Sequence, residues 1–290
     1  MNEDKITSIF VDVDDFCQSI LKNWYAYQKR VHNRKRIRNQ QLTESEIITI
    51  MLLFHFSHYR NFKQFYLLSI KSNLSEFFPS AMSYPRMVIA MQSLSELLAH
   101  YLKSRLSQPT GIAFIDSTSL KVCHNKRILR HRVFKHIAKR GKSSMGWFYG
   151  FKLHLVINHQ GELLSARVTS GEVDDRKPVV DLTAHLSGNL YGDKGYLSEI
   201  LTNTLKEKGI TLITNVRKNM KNKFISCFDK AVLRKRFIIE TVNDVLKNVC
   251  QIEHTRHRSI VNFMNNLLAG LIAYTFLENK PKCSIVLVPT

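Results

Sequence analysis

Three carboxylates sit where the hydrophobic patterning of the chain gives no reason for them. Asp116 closes the apolar run Ile112-Ala113-Phe114-Ile115, so a charge ends what reads as a buried strand. Asp193 follows Leu190-Tyr191-Gly192, at the carboxyl end of a second, parallel-type strand, where open α/β sheets bind ligands. Glu240 lies in a helical stretch in which Arg236, Glu240, Asn243 or Asp244, and Lys247 share one face. Ile239, Val242, Leu246 and Val249 form the opposite, apolar stripe. Periodicity alone favours a solvated side for the charged face; the alternative is a face turned into a cleft lined by Asp116 and Asp193. Carboxylates from two strand ends and a helix would suit hard divalent cations such as Mg²⁺. Two such ions roughly 3.5–4 Å apart can activate a nucleophile and stabilise the leaving oxygen of a phosphodiester.

The charge balance fits a polyanionic partner. The 290 residues carry 43 Lys+Arg against 23 Asp+Glu, a formal net charge of +20. Residues 1–110 hold 14 basic and 9 acidic residues, and residues 111–290 hold 29 and 14, so most of the excess lies in the second part. Apolar residues make up 44% of the chain, enough for a real core and against disorder. The five cysteines include no Cys-x-x-Cys pair, which argues against a disulfide framework or a zinc knuckle. The opening Met-Asn-Glu-Asp-Lys is acidic where a signal peptide would be basic. The most apolar segment, Phe263 to Leu277, contains Asn265 and Asn266 and is too short to span a bilayer. A cytoplasmic protein with no membrane partner is expected.

The elements that must position the carboxylates follow from local patterns. Thr43-Glu44-Ser45-Glu46 is a capping box ahead of the apolar helix Ile47 to Phe56. A second helical run covers Asn61 to Ile70, and Pro85 starts a third that reaches about Arg105. The texture changes near Ser107 to Gly111. Strands are then expected at Ile112–Ile115, Trp147–Ile157 and Leu163–Thr169, the last two joined by the hairpin loop Asn158-His159-Gln160-Gly161-Glu162. Helix Pro178–Leu186, strand Asn189–Tyr191, helix Ser198–Lys208, strand Ile210–Val216 and a long helix from about Leu233 complete a mixed α/β sheet. The expected division is a helical region, residues 1–107, and a catalytic domain, residues 108–290.

Other motifs are weaker. Lys121 to Lys142 holds nine basic residues and no acidic one, and reads as a DNA-backbone surface over an ordinary solvated run. Arg217 to Arg236 is a second basic stretch opposed only by Asp229, and His32 to Arg36 forms a basic knot. Trp147 could stack on an unpaired base, but a strand-core role is favoured. His254 and His257 lack a third donor for a metal site; Asp174-Asp175 could supply a spare metal ligand, but a turn before a helix explains them adequately. Val11-Asp12-Val13-Asp14-Asp15 has a phosphatase-like Asp-x-Asp start, but a helix explains it better.

The sequence resembles the DDE transposases of bacterial insertion sequences, most closely the insertion sequence 982 family, over essentially its whole length. The resemblance is carried by Phe114-Ile115-Asp116-Ser117-Thr118, by Gly141 to His154, by Tyr191-Gly192-Asp193-Lys194-Gly195-Tyr196 and by Ile252 to Ser259. In that class the second acid sits in an Asp-x-Gly-Tyr/Phe block, matched by Asp193, Gly195 and Tyr196. The third sits in a Tyr-x2-Arg-x3-Glu-x6-Lys block, matched by Arg236, Glu240 and Lys247 but with Leu233 in the Tyr position. The resemblance reverses the reading of Glu240. It implies a ribonuclease-H-like mixed-sheet α/β catalytic domain preceded by an all-helical region that recognises element ends. It implies Asp116, Asp193 and Glu240 as catalytic residues holding two Mg²⁺, or Mn²⁺, with no covalent enzyme intermediate. A metal-activated water would free a 3′-OH at the element end, which then attacks target DNA. Arg236, Lys247, Lys194, Arg127, Arg140 and Lys142 are the expected DNA contacts, with self-association on DNA and a place on the bacterial nucleoid. The rival readings are a non-catalytic DNA-binding regulator and a nuclease that cleaves without joining.

Overall fold

The structure, a computed structural model, describes residues 2–31, 41–143, 145–215, 225–253 and 257–284. The basic knot at 32–36, the first part of the basic stretch (217–224), and His254 and Arg256 fall outside the described residues. The chain forms two compact units.

The first unit is helical. Helix α1 (Glu3–Val31) buries Ile6, Ile9, Val13, Cys17 and Trp24, the one-face spacing of an amphipathic helix. This helical assignment covers the Asp-x-Asp segment, and Asp12 is a structural ligand there. It accepts hydrogen bonds from Tyr101 Oη and from Arg105 Nη1, each at 2.5 Å. Helix α2 (Glu44–Phe56) starts at the expected capping box, with Thr43 and Glu46 satisfying each other's backbone N–H. Helix α3 (Phe62–Phe65) runs into a π-helical segment, Tyr66–Asn73. The expected third helix is two, α4 (Tyr84–Ser93) and α5 (Ser95–Ser104), broken at Leu94.

Helix α2 is apolar nearly all round, with Ile47 to His55 buried, so it needs neighbours on every side. One of them comes from the far end of the sequence. Residues 248–252 and 258–276, including the apolar helix at Ile260–Thr275, belong to this unit and pack against α2, α4 and α5. His55, fully buried, donates from Nδ1 to the Cys250 carbonyl at 2.5 Å, and burial pulls its pKa down to about 4. The linear division at 107/108 therefore differs from the structural one, because a helix apolar on all faces recruits its partner irrespective of chain order.

The second unit is a six-stranded mixed sheet. Its strands are β1 (Ile112–Cys123), β2 (Lys139–Ser143), β3 (Gly146–Asn158), β4 (Leu163–Ser170), β5 (Gly188–Gly192) and β6 (Ile210–Thr214). β1 pairs antiparallel with β3 and parallel with β5, which pairs parallel with β6. On the far edge of β3, its first part pairs with β2 and the rest with β4. The β3–β4 hairpin closes as expected: Asn158 Oδ1 accepts from the N–H groups of Gln160 and Glu162, at 2.9 and 3.0 Å. Short helix α6 (Val179–Leu182) and helix α7 (Glu199–Glu207) cover one face, where Ala113, Ile115, Val156, Leu190 and Leu205 form the core. The anticipated long helix is broken at Lys235–Arg236 into α8 (Cys227–Arg234) and α9 (Phe237–Asn248), and the helix at Ile260–Thr275 becomes α10. Tyr191, on the face opposite that core, donates to Asp229 of α8 at 2.7 Å. This is a ribonuclease-H-like arrangement with a helical region before it. No helix among the described residues is long and apolar enough to cross a membrane.

Strand β2 is the element that the sequence hid. It pairs with the first part of β3, the edge that β4 leaves unused, where Gly150 lets β3 come close to β1 opposite the bulge between Lys121 and Cys123. A Cβ on Gly150 would lie 2.0 Å from the Leu120 carbonyl oxygen, at a φ of +157°. Gly150→Ala should therefore lower unfolding free energy by about 3 kcal/mol or more, measured by urea denaturation, whereas a mid-strand glycine free of contacts would gain slightly.

Candidate active site

Strand register brings the first two acids level. Phe114 of β1 lies opposite Tyr191 of β5 in the parallel pair. Two residues further along stand Asp116, still within β1, and Asp193, one residue past the end of β5. β5 ends at Gly192, so beyond it the edge of β1 opens and both acids sit at the mouth of the sheet. Asp193 is exposed, and its side chain caps nothing in the short 3₁₀ turn Lys194–Tyr196 that follows.

Helix α9 supplies the third. Its stripe Ile239, Val242 and Leu246 is fully buried, as the periodicity requires, while Val249 beyond the helix end is exposed. The polar stripe is more than a solvated face. Asn243, nearly buried, donates from Nδ2 to Asp116 Oδ2 at 3.2 Å, which ties the helix to β1. Asn243 Oδ1 is buried with no hydrogen-bond partner. Glu240, its side chain 56% exposed, accepts from Arg236 Nη2 at 2.7 Å. Arg236 is only 19% exposed, because it lies along the same face.

Burial pushes the Asp116 carboxyl up to about 6. Arg236 and the Ser117 N–H oppose the rise, and the negative charges of Glu240 and Asp175 add to it. Asp116 and Glu240 are thus close enough to act on each other, and Asp175 joins them. Asp175 accepts from Lys152 Nζ at 2.9 Å and stands 4.0 Å from His154 Nδ1. His154 hydrogen-bonds Thr169 Oγ1 through Nε2 at 2.8 Å, and burial pulls its pKa down to about 4, so the ring is neutral. The Tyr196 hydroxyl is also buried here. Ser117 lies beside it without a well-formed hydrogen bond, and burial with the charges of Asp116 and Asp175 raises its pKa strongly.

Sequence reasoning did not name Lys152 or His154 as site residues, set Asp175 aside as a turn residue, and gave Asn243 and Tyr196 a place in the pattern but no role. Two signals were available. Asn243 lies three positions after Glu240, on the same helical face. Lys152 and His154 alternate with leucines along β3, which sets both on one face.

The donor set suits a hard cation. It is all oxygen, its carboxylates are mutually repelling, and one buried amide oxygen is unsatisfied. Among the described residues, however, no three His, Cys, Asp or Glu side chains converge at ligating distance. Glu240 is paired with Arg236, and the charges that act on Asp116 are those of Arg236, Glu240 and Asp175.

The six expected DNA contacts divide into two kinds. Arg127, Arg140, Lys142 and Lys194 are exposed. Arg236 and Lys247 are engaged within the chain, Lys247 with Glu253 at 3.2 Å, and Glu253 in turn accepts from the Lys121 N–H at 3.0 Å.

Comparison with known proteins agrees with this architecture. Residues 106–260 match the family model described as "Transposase DDE domain", just over half of the chain. A solved structure titled "Cryo-EM structure of piggyBac transposase synaptic complex with hairpin DNA" matches with a TM-score of 0.51 at 11% identity. The match covers 92% of this chain and 72% of that one, and at such identity it speaks to fold. The search of curated proteins gives no match.

The raised Asp116 pKa has a stability consequence. Between the ordinary value of 3.8 and about 6, the folded chain keeps a proton that the unfolded chain has released. Stability therefore falls as pH rises through that window and stays lower above it. Without divalent ions, Asp116→Asn should be more stable than the parent at pH 7–8, by on the order of 1–3 kcal/mol. The gain should shrink as pH falls from about 6 and vanish below pH ~3, where the carboxyl is protonated in both states, as thermal unfolding across pH would show.

Proposed function

Since the chain belongs to the transposase DDE domain family, we propose that it cuts DNA at the ends of its own mobile element. The freed 3′ ends are then joined to target DNA, and Asp116, Asp193 and Glu240 hold two Mg²⁺ at the reacting phosphodiester. The observation that carries this reading is the Asn243–Asp116 hydrogen bond, which makes the polar face of α9 part of the strand-end site. We further propose an element of the insertion sequence 982 type, in a bacterial host, with self-association on the DNA.

The ions, when bound, supply an activated oxygen nucleophile and stabilise the leaving oxygen. The chain's own residues prepare the place. Asn243 fixes the Asp116 carboxylate from one side. Lys152 holds Asp175, whose charge keeps the neighbourhood electronegative and attractive to cations. Arg236 balances Glu240 until the site is filled, then becomes free for a phosphate oxygen. Exposed Lys194, next to Asp193, and the Arg127–Lys142 surface bind the backbone and release counterions. The helical region, 1–107, is assigned to recognition of the element ends.

Replacing Asp116, Asp193 or Glu240 by Ala should lower Mg²⁺-dependent cleavage of end DNA by about 10³-fold or more while duplex binding persists. Ca²⁺ should raise the Tm of the parent chain, and this rise should be lost in the same variants. A variant that still cleaves and joins normally removes that residue from the set. Cleavage without joining would instead favour the nuclease reading.

A further inference from the structure

Strand-core packing is the role that the sequence favoured for Trp147, and the structure places it otherwise. Its relative exposure is 62%, against 7% for the only other tryptophan, Trp24. It stands at the start of β3, paired across the ladder with Lys142, whose Nζ is 6.0 Å from the ring centroid. Two residues along each strand, Arg140 pairs with Tyr149, so the four side chains share one face. Tyr149 is buried, its ring 6.3 Å from His131 and its hydroxyl donating to the Phe134 carbonyl. The aromatic row therefore begins in the core and ends in an uncovered indole.

The backbone that carries the indole is tied down. The Trp147 carbonyl accepts from Asn125 Nδ2 at 2.8 Å, which ties the strand to the 3₁₀ turn Asn125–Arg130. Between them lies a recess of about 400 Å³ lined by Asn125, Ile128, Arg140 and Trp147, within the range of small-ligand sites. The segment that carries it is cationic: residues 117–161 contain no Asp or Glu, and Arg127, Arg140 and Lys142 are exposed. An exposed ring beside backbone-neutralising cations is the pairing that captures single strands, since every base offers a π face. In a duplex those faces are already stacked. An acidic peptide would answer the charge but has no planar group for the ring.

We infer that the Trp147 recess binds an unpaired nucleobase of a DNA strand, with Arg140 and Lys142 on its phosphates. This rests on the DNA reading above and adds a site for strands that are opened during processing.

The test uses the full chain in low salt without divalent ions. Oligothymidylate should quench Trp147 emission saturably, while buried Trp24 contributes a constant background. Trp147→Ala should weaken single-strand binding about tenfold or more, measured by anisotropy of a labelled oligothymidylate. Trp147→Phe should restore most of it, and duplex affinity should be unchanged in both. Single-strand affinity within twofold of the parent, or an equal loss on duplex, overturns the stacking site and leaves the DNA reading standing. Equal quenching by polyglutamate also overturns it, since the recess would then read charge alone. If the parent binds neither DNA, the functional reading falls with it.

Discussion

The second unit is organised around one electrostatic constraint: a carboxylate kept within a buried strand, just past the point where β5 stops pairing with it, beside other carboxylates. Burial, with the charges of Glu240 and Asp175 behind it and Arg236 opposing, raises the Asp116 pKa to about 6. Such an arrangement costs folding free energy, so the surroundings must hold it by force of packing. They do so from three directions. The register of β1 against β5 is fixed by apolar residues, Asn243 reaches across from α9, and Lys152 holds Asp175 from β3. A divalent cation would turn this repulsion into ligation, which is why the destabilised carboxylates read as function.

The +20 charge acquires a geometry from the same site. Cations near the acids are paired inward: Arg236 with Glu240, Lys247 with Glu253, Lys152 with Asp175. Those of the acid-free segment face outward, around Trp147. Internal pairs of this kind set orientation, while exposed cations supply salt-sensitive affinity for a polyanion. One excess of Lys and Arg thus divides into a part that shapes the proposed site and a part left for its partner.

Much of this was legible in the sequence where the signal was local. The capping box at Thr43, the hairpin loop at Asn158–Glu162 and the start of a strand at Ile112 each depend on a few adjacent residues; that strand was expected to stop before Asp116, but it runs on to Cys123 because β3 pairs with it along that length. What escaped depended on distant partners. Strand β2 reads Lys-Arg-Gly-Lys-Ser and has no strand signature; it exists because β3 offers an edge that β4 leaves unused. Trp147 was favoured as core because tryptophan usually is, yet it lies past the end of the layer that could cover it. The helix at 260–275 was grouped with the sheet by chain order, although its all-round apolarity demanded a helical bundle. Asn243 showed the right spacing from Glu240, but periodicity cannot tell a face turned to solvent from one turned to a carboxylate.

The central claim is that Asp116, Asp193 and Glu240 close on metal ions when substrate arrives. The most direct measurement is a structure of the full chain with element-end DNA and Ca²⁺, which supports binding without turnover. The expected result is two ions ligated by the three carboxylates at the scissile phosphate, with Glu240 released from Arg236. Ions bound elsewhere, or a DNA-bound state in which the Arg236–Glu240 pair persists and no metal lies between Asp116 and Asp193, would contradict it.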